Sequence, residues 1–153
     1  EALPIAQRLH ERYPANALFH RYVGRVALAI ENRTLAQSAW AEILAASKAK
    51  KVGYDAITER EARYYTGLSA MDEERLDEAL QQFYRCDELS RSLPKEEYSG
   101  FMVLANLRMG MVYDLQGKRE LALKQYEKVL DMKDYSKAHE QAERYRKTAY
   151  HHS

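Results

Sequence analysis

The chain has 153 residues, enough for one domain with a sizeable core or for a short stack of repeats. Its 24 Lys and Arg balance 23 Asp and Glu to a formal net charge of +1, so no global charge points to DNA, RNA or a membrane surface. Charged residues at 31% with six Gly and three Pro favour long, water-facing helices over sheets, and one cysteine, Cys86, excludes an internal disulfide framework. No apolar run approaches the roughly 20 residues that span a bilayer, and no basic–apolar–small leader opens the sequence. The compartment stays open.

In chain order, residues 1–13 read as one amphipathic helix closed by Tyr13-Pro14. Its Ala2, Ala6 and Leu9 lie 34 residues before Ala36, Trp40 and Ile43, the apolar face of a later helix. Residues 1–13 are therefore expected to be the second helix of a hairpin whose first helix is missing, and the chain a piece of a longer array. Residues 14–56, 57–99 and 100–133 are three copies of one unit. Gly24, Gly67 and Gly110 stand 43 residues apart, as do Ala36, Ala79 and Ala122, then Trp40, Phe83 and Tyr126, then Ile43, Cys86 and Val129. Four residue classes holding register without a gap define a repeat.

Within a copy the glycine lies in a first helix, and a turn follows at Glu31-Asn32-Arg33, at Asp72-Glu73-Glu74-Arg75 or at Gln116-Gly117-Lys118. Ala, aromatic and aliphatic at i, i+4 and i+7 then make the stripe of a second helix. Glycine and alanine let the two helices approach, and the aromatic fills the space beside them. Neither helix buries its stripe alone, so the copies must stack. Either Asp55 or Thr58, the latter with capping-box spacing to Glu61, starts the first helix of copy two. Residues 134–153 carry Ala138, Ala142, Tyr145 and Ala149 at i, i+4, i+7 and i+11, a capping helix of about 16 residues with a charged outer face.

The segments Leu107-Arg108-Met109-Gly110-Met111-Val112-Tyr113 and Ala122-Leu123-Lys124-Gln125-Tyr126-Glu127-Lys128-Val129 resemble the tetratricopeptide repeat family. Thr66-Gly67 with Ala79-Leu80-Gln81-Gln82-Phe83, and Val23-Gly24 with Ala36-Gln37-Ser38-Ala39-Trp40, follow the same pattern. The resemblance implies a single all-α domain over 1–153, a right-handed α-α superhelix of about eight antiparallel helices. The family's usual period is about 34 residues, so the nine or so extra residues per copy are expected in helices lengthened near Lys50-Lys51-Val52-Gly53 and Ser92-Leu93-Pro94. The family's large apolar residue four before the glycine is replaced by His20, Arg63 and Asn106.

What the resemblance implies for function is a protein–protein interaction module or assembly scaffold with a concave groove lined by first helices. Mapped onto this sequence, the lining is Leu18, Arg21, Tyr22, Arg25 and Leu28, then Tyr64, Tyr65, Leu68 and Met71, then Leu104, Leu107, Arg108 and Met111. Aromatic and Met anchors with an Arg rim suit an extended or helical peptide of some acidic character. One subtype of the family grips a C-terminal carboxylate through a five-residue clamp. The matching positions here are Arg21, Arg25, Tyr65, Leu104 and Arg108, without either asparagine, and the clamp is not expected.

Two rivals come from other classes. Lys48, Lys50, Lys51, Arg60 and Arg63 near the first inter-repeat turn, with Arg21, Arg25, Tyr22, Tyr64 and Tyr65, offer charge and stacking to RNA, but Glu59, Glu61 and Asp72 lie among them. Self-association through an exposed N-terminal end around Ala6, Leu9 and Phe19 is the other. An enzyme is not expected, nor a cofactor or metal. Gly24, Gly67 and Gly110 are isolated and mid-helix, and no His-Glu-x-x-His or Cys-x-x-Cys accompanies the five histidines. Cys86 occupies an aliphatic stripe position and reads as a buried thiol.

Overall fold

A computed structural model describes residues 1–95 and 100–152; the end of the second expected copy, residues 96–99, and residue 153 lie outside it. The described residues form eight α-helices and no strand: α1 Ala2–Arg12, α2 Ala17–Ala29, α3 Arg33–Lys48, α4 Ala56–Asp72, α5 Leu76–Arg91, α6 Gly100–Leu115, α7 Arg119–Asp131 and α8 Ala138–Lys147. Among the described residues no helix is long and apolar enough to cross a membrane. The second helices α3, α5 and α7 begin 43 residues apart, at Arg33, Leu76 and Arg119.

The glycine–aromatic register is a physical contact in every copy. A Cβ added to Gly24 would lie 2.5 Å from the Trp40 ring, one on Gly67 2.6 Å from Phe83, and one on Gly110 2.5 Å from Tyr126. Each glycine thus removes one side chain where the first helix of a hairpin meets the fully buried ring of the second. Such a gap has room for hydrogen only.

The hairpin turns repeat as closely. Glu31, Glu74 and Gly117 all take positive φ, at 59°, 59° and 73°. After each, an N–H reaches back to close the first helix: Asn32 to the Ala27 carbonyl, Arg75 to Ala70 and Lys118 to Tyr113, each at 2.8 Å. This is the helix-ending pattern that a left-handed residue permits, and only the third copy gives the position to glycine. Between copies, Asp55 caps α4 by accepting from the Thr58 N–H at 3.2 Å, so the helix starts ahead of the Thr58 alternative. Helices α3, α4 and α5 run for 16, 17 and 16 residues, and the stretch 49–55 joins α3 to α4.

Every helix packs on its neighbours in sequence, and α2 also touches α4, α4 touches α6, and α6 touches α8. The apolar core is uneven. One large cluster runs from α4 to α8 through Tyr64, Phe83, Leu107, Met111, Tyr126 and Ala142. The N-terminal end has two small ones, around Trp40 and Ile43 and around Ala6, Val23 and Ala39. Cys86, in the large cluster, is fully buried as expected, and burial pushes its thiol up to about 12, which leaves it inert.

The last helix is shorter than its sequence stripe. α8 stops at Lys147, Thr148 is extended at φ −135°, and Ala149 is exposed. The stripe counts apolar residues, but two polar contacts divert the chain. The Arg119 guanidinium donates to the Arg146 carbonyl at 2.8 Å, and Asp114 takes the Tyr150 N–H at 2.9 Å.

Candidate binding face

The faces of α2, α4 and α6 carry equivalent residues at intervals of 43, so the expected groove is compared position by position. In α2 it is open. Leu18, Tyr22 and Leu28 are 37%, 38% and 37% exposed, and the Arg25 guanidinium lies 5.8 Å from the Tyr22 ring centre. Beside them a cleft of about 920 Å³ opens between the N-terminal ends of α2 and α4, lined by Tyr13, Pro14, Leu18, Phe19, Arg21 and Ile57. Tyr13, Phe19 and Tyr22 form a chain of ring contacts, with centres 5.8 and 6.4 Å apart.

In α4 and α6 the same face closes. Tyr64, Met71, Leu107 and Met111 are core residues, which corrects their expected place on an open groove. Long helices bring α4 against α6 and α6 against α8, and those contacts consume the side wall. Tyr65, Leu68, Leu104 and Arg108 remain half-buried. Tyr65 stacks on Trp40 of the preceding copy, with centres 4.8 Å apart and planes 18° apart, and meets Tyr64 and Phe101 edge-on. Burial drives its phenol above the usual range. Arg108 keeps a buried Nε without a hydrogen-bond acceptor, while its terminal nitrogen lies 3.9 Å from the Met111 sulfur.

The arginines of copy one are not a free rim. Arg21 Nε donates to Glu61 Oε2 at 2.5 Å, and Arg25 donates through Nε and, at 2.8 Å, through its terminal nitrogen. Glu61 is fully buried, so two cations from α2 and one anion from α4 hold the two copies together. Their charge is largely spent inside the protein, which weakens the RNA reading that relied on it. Sequence reasoning missed Glu61, although a signal was present. It stands where the other copies have Leu18 and Leu104, and its partners stand where they have Tyr64 and Leu68 or Leu107 and Met111. Three charges that break register together mark one contact.

His20, Arg63 and Asn106, each four residues before a repeat glycine, also turn inward or across helices. Asn106 is buried and donates to Asp87 at 2.7 Å and to the Met102 carbonyl at 2.8 Å, and Arg63 donates to Gln82 at 3.1 Å. Buried His20 joins four elements. It stacks on His10 of α1 at 4.0 Å, pairs with Glu42 of α3 at 3.2 Å and meets the Tyr54 hydroxyl after α3 at 2.9 Å. Burial, with His10 beside it, holds the His20 imidazole below its usual range against the opposing pull of Glu42. Among the described residues no cluster of three His, Cys, Asp or Glu is placed to hold a metal ion. Comparison with protein-family models, with curated proteins and with solved structures gives no match.

Proposed function

We propose that the chain is a long-period helical-repeat solenoid of the tetratricopeptide type, a right-handed superhelix whose first helices line one face. In this reading it is an interaction module or assembly scaffold and not an enzyme. The architecture is supported by the glycine–ring contact recurring at Gly24, Gly67 and Gly110, and by the serial contacts of α2, α4, α6 and α8. The observation that carries the function is the open face of α2. Leu18, Tyr22 and Leu28 are exposed beside an apolar cleft, where the equivalent Met71 is core and the equivalent Glu61 is covered. Apolar and aromatic side chains exposed in series mark a site that gains from being covered.

The partner that fits is an extended or helical protein segment with apolar anchors. Acidic character is a lesser requirement than the sequence implies, because Arg21 and Arg25 already have Glu61. A displayed-peptide selection on the purified chain tests this reading. Segments recovered from it should lose about tenfold or more in affinity for the Leu18→Ala, Tyr22→Ala double variant, since two anchors are truncated. Unchanged affinity in a variant with an intact helical signal would move the site elsewhere.

A further inference from the structure

Past Lys147 the chain leaves α8 and is held against the protein at several points. The Arg119 guanidinium donates to the Arg146 carbonyl at 2.8 Å, and the Tyr150 N–H donates to Asp114 Oδ2 at 2.9 Å. The Tyr150 ring sits edge-on to Tyr145, with centres 5.1 Å apart and planes 81° apart, and packs on the main core cluster. Asp114 is a strong anchor. Its carboxylate is almost wholly buried and also accepts from Arg119 at 2.9 Å and from the Tyr126 hydroxyl at 2.7 Å. The Tyr150 phenol lies within electrostatic reach of Arg108 on α6 and Asp72 at the end of α4. The ring is thus held on Tyr145 of α8 while its backbone is tied to Asp114 of α6, which stands at the register position of Leu28 and Met71 on the proposed face.

Residues 148–150 thus do what an extended ligand would do. They offer a backbone N–H to a buried carboxylate and an aromatic ring to a half-buried tyrosine, over a helix whose arginine lacks an acceptor for its Nε. We infer that this segment is an intramolecular occupant of the interaction face, covering its α6 end, and that a partner segment must displace Tyr150 to reach Asp114 and Arg108. The inference rests on the proposed interaction face. It adds that the face has an open end at α2 and a strapped end at α6, and that the strap competes with segments of its own chemistry: extended, with a free N–H next to an aromatic side chain. A tether of a few residues gives such a strap an effective concentration of order millimolar, so even a weak contact keeps the site filled.

The test uses a synthetic peptide of residues 147–152, titrated by NMR into two forms of the chain, intact and shortened after Lys147. The shortened form should show saturable shifts at the amides of Arg108, Asp114 and Tyr145, and the intact form should need about tenfold more peptide. The intact chain carrying Tyr150→Ala should behave like the shortened one, which keeps the test decisive if shortening disturbs α8. Equal affinity in all three forms, or no binding to either altered form while its helical signal is intact, overturns the inference. Binding of this peptide needs no foreign partner, so it succeeds or fails apart from the selection against Leu18 and Tyr22. A selected segment bound equally with and without residues 148–152 would overturn the strap as a gate and leave the interaction face standing.

Discussion

Copies one and three share a backbone register yet hold themselves together differently. In copy three, α6 presents Leu104, Leu107 and Met111 to its neighbours, inside the cluster that runs to α8. In copy one, α2 presents Leu18, Arg21 and Arg25, and both arginines converge on one buried glutamate of α4. The comparison teaches that the repeat's glycine and ring fix how two helices of a hairpin meet, while the faces between hairpins are free to vary. The apolar faces have become core. The polar and open ones have remained available.

Removing the charge at the first junction should produce the largest effect. Glu61→Leu supplies the residue found at positions 18 and 104, yet it strands Arg21 and Arg25. A destabilisation of about 3 kcal/mol is expected in denaturant unfolding, since breaking a buried pair leaves charge uncompensated. Adding Arg21→Leu and Arg25→Met, the residues of copy three, should return stability to within about 1 kcal/mol of the starting chain. If Glu61→Leu alone proves harmless, the two copies do not depend on this pair.

That contrast also explains what was readable beforehand. The hairpins, the turns and the buried Cys86 followed from periodicity, because glycine, alanine and ring residues recur only where backbones touch. The site was read less well. Periodicity assigns a face but not its depth, so Tyr64, Met71 and Met111 were placed on an open surface that α4 and α6 close. Glu61 reads from the sequence as a capping residue or a surface acid, because its pairing depends on arginines 36 and 40 residues away. The early end of α8 was hidden for a similar reason: Asp114, 36 residues upstream, captures the Tyr150 N–H.

A second break addresses what the copies share. Gly67→Ala would set a methyl 2.6 Å from the Phe83 ring. Overpacking should outweigh the helical gain of alanine and cost about 1–2 kcal/mol in thermal or denaturant unfolding. Pairing it with Phe83→Leu should recover part of that loss below the sum of the two single effects, which would show that glycine and ring act as one unit. Strict additivity would mean that the ring simply moves aside.

The N-terminal end should also respond to acid more than the apolar C-terminal end. His20 is held below its usual range in the folded chain, so the unfolded chain takes up the proton first as pH falls. The contribution is fully present above about pH 6.5 and declines as pH drops toward the folded value. The groups facing His20 are His10 and Glu11 of α1, Glu42 of α3, and Lys51 and Tyr54 beyond it. Hydrogen exchange should show α1–α3 losing protection between about pH 7 and about pH 5 while α6 and α7 keep theirs. Glu42→Gln, which removes the countercharge, should steepen the loss, and His20→Gln should flatten it. A uniform decline along the chain would assign the acid response to other groups.

The smallest effects test the turns, where copy three departs from the other two in the opposite direction. Glu31 and Glu74 both hold φ at 59°, a left-handed conformation that costs a residue with a Cβ, whereas copy three has Gly117 at 73°. Among the described residues neither glutamate side chain makes a hydrogen bond or ion pair that glycine would sacrifice, and both are exposed. Glu31→Gly and Glu74→Gly should therefore each raise unfolding stability by up to about 1 kcal/mol, reduced by the extra freedom glycine gives the unfolded chain. Gly117→Ala should lower it by a similar amount even though a Cβ there meets nothing within 4 Å, because the strain lies in the backbone and not in packing. The signs are the informative part. Gains in copies one and two with a loss in copy three would show one turn geometry imposed on all three, and a loss on Glu31→Gly would mean that its turn is held by the side chain.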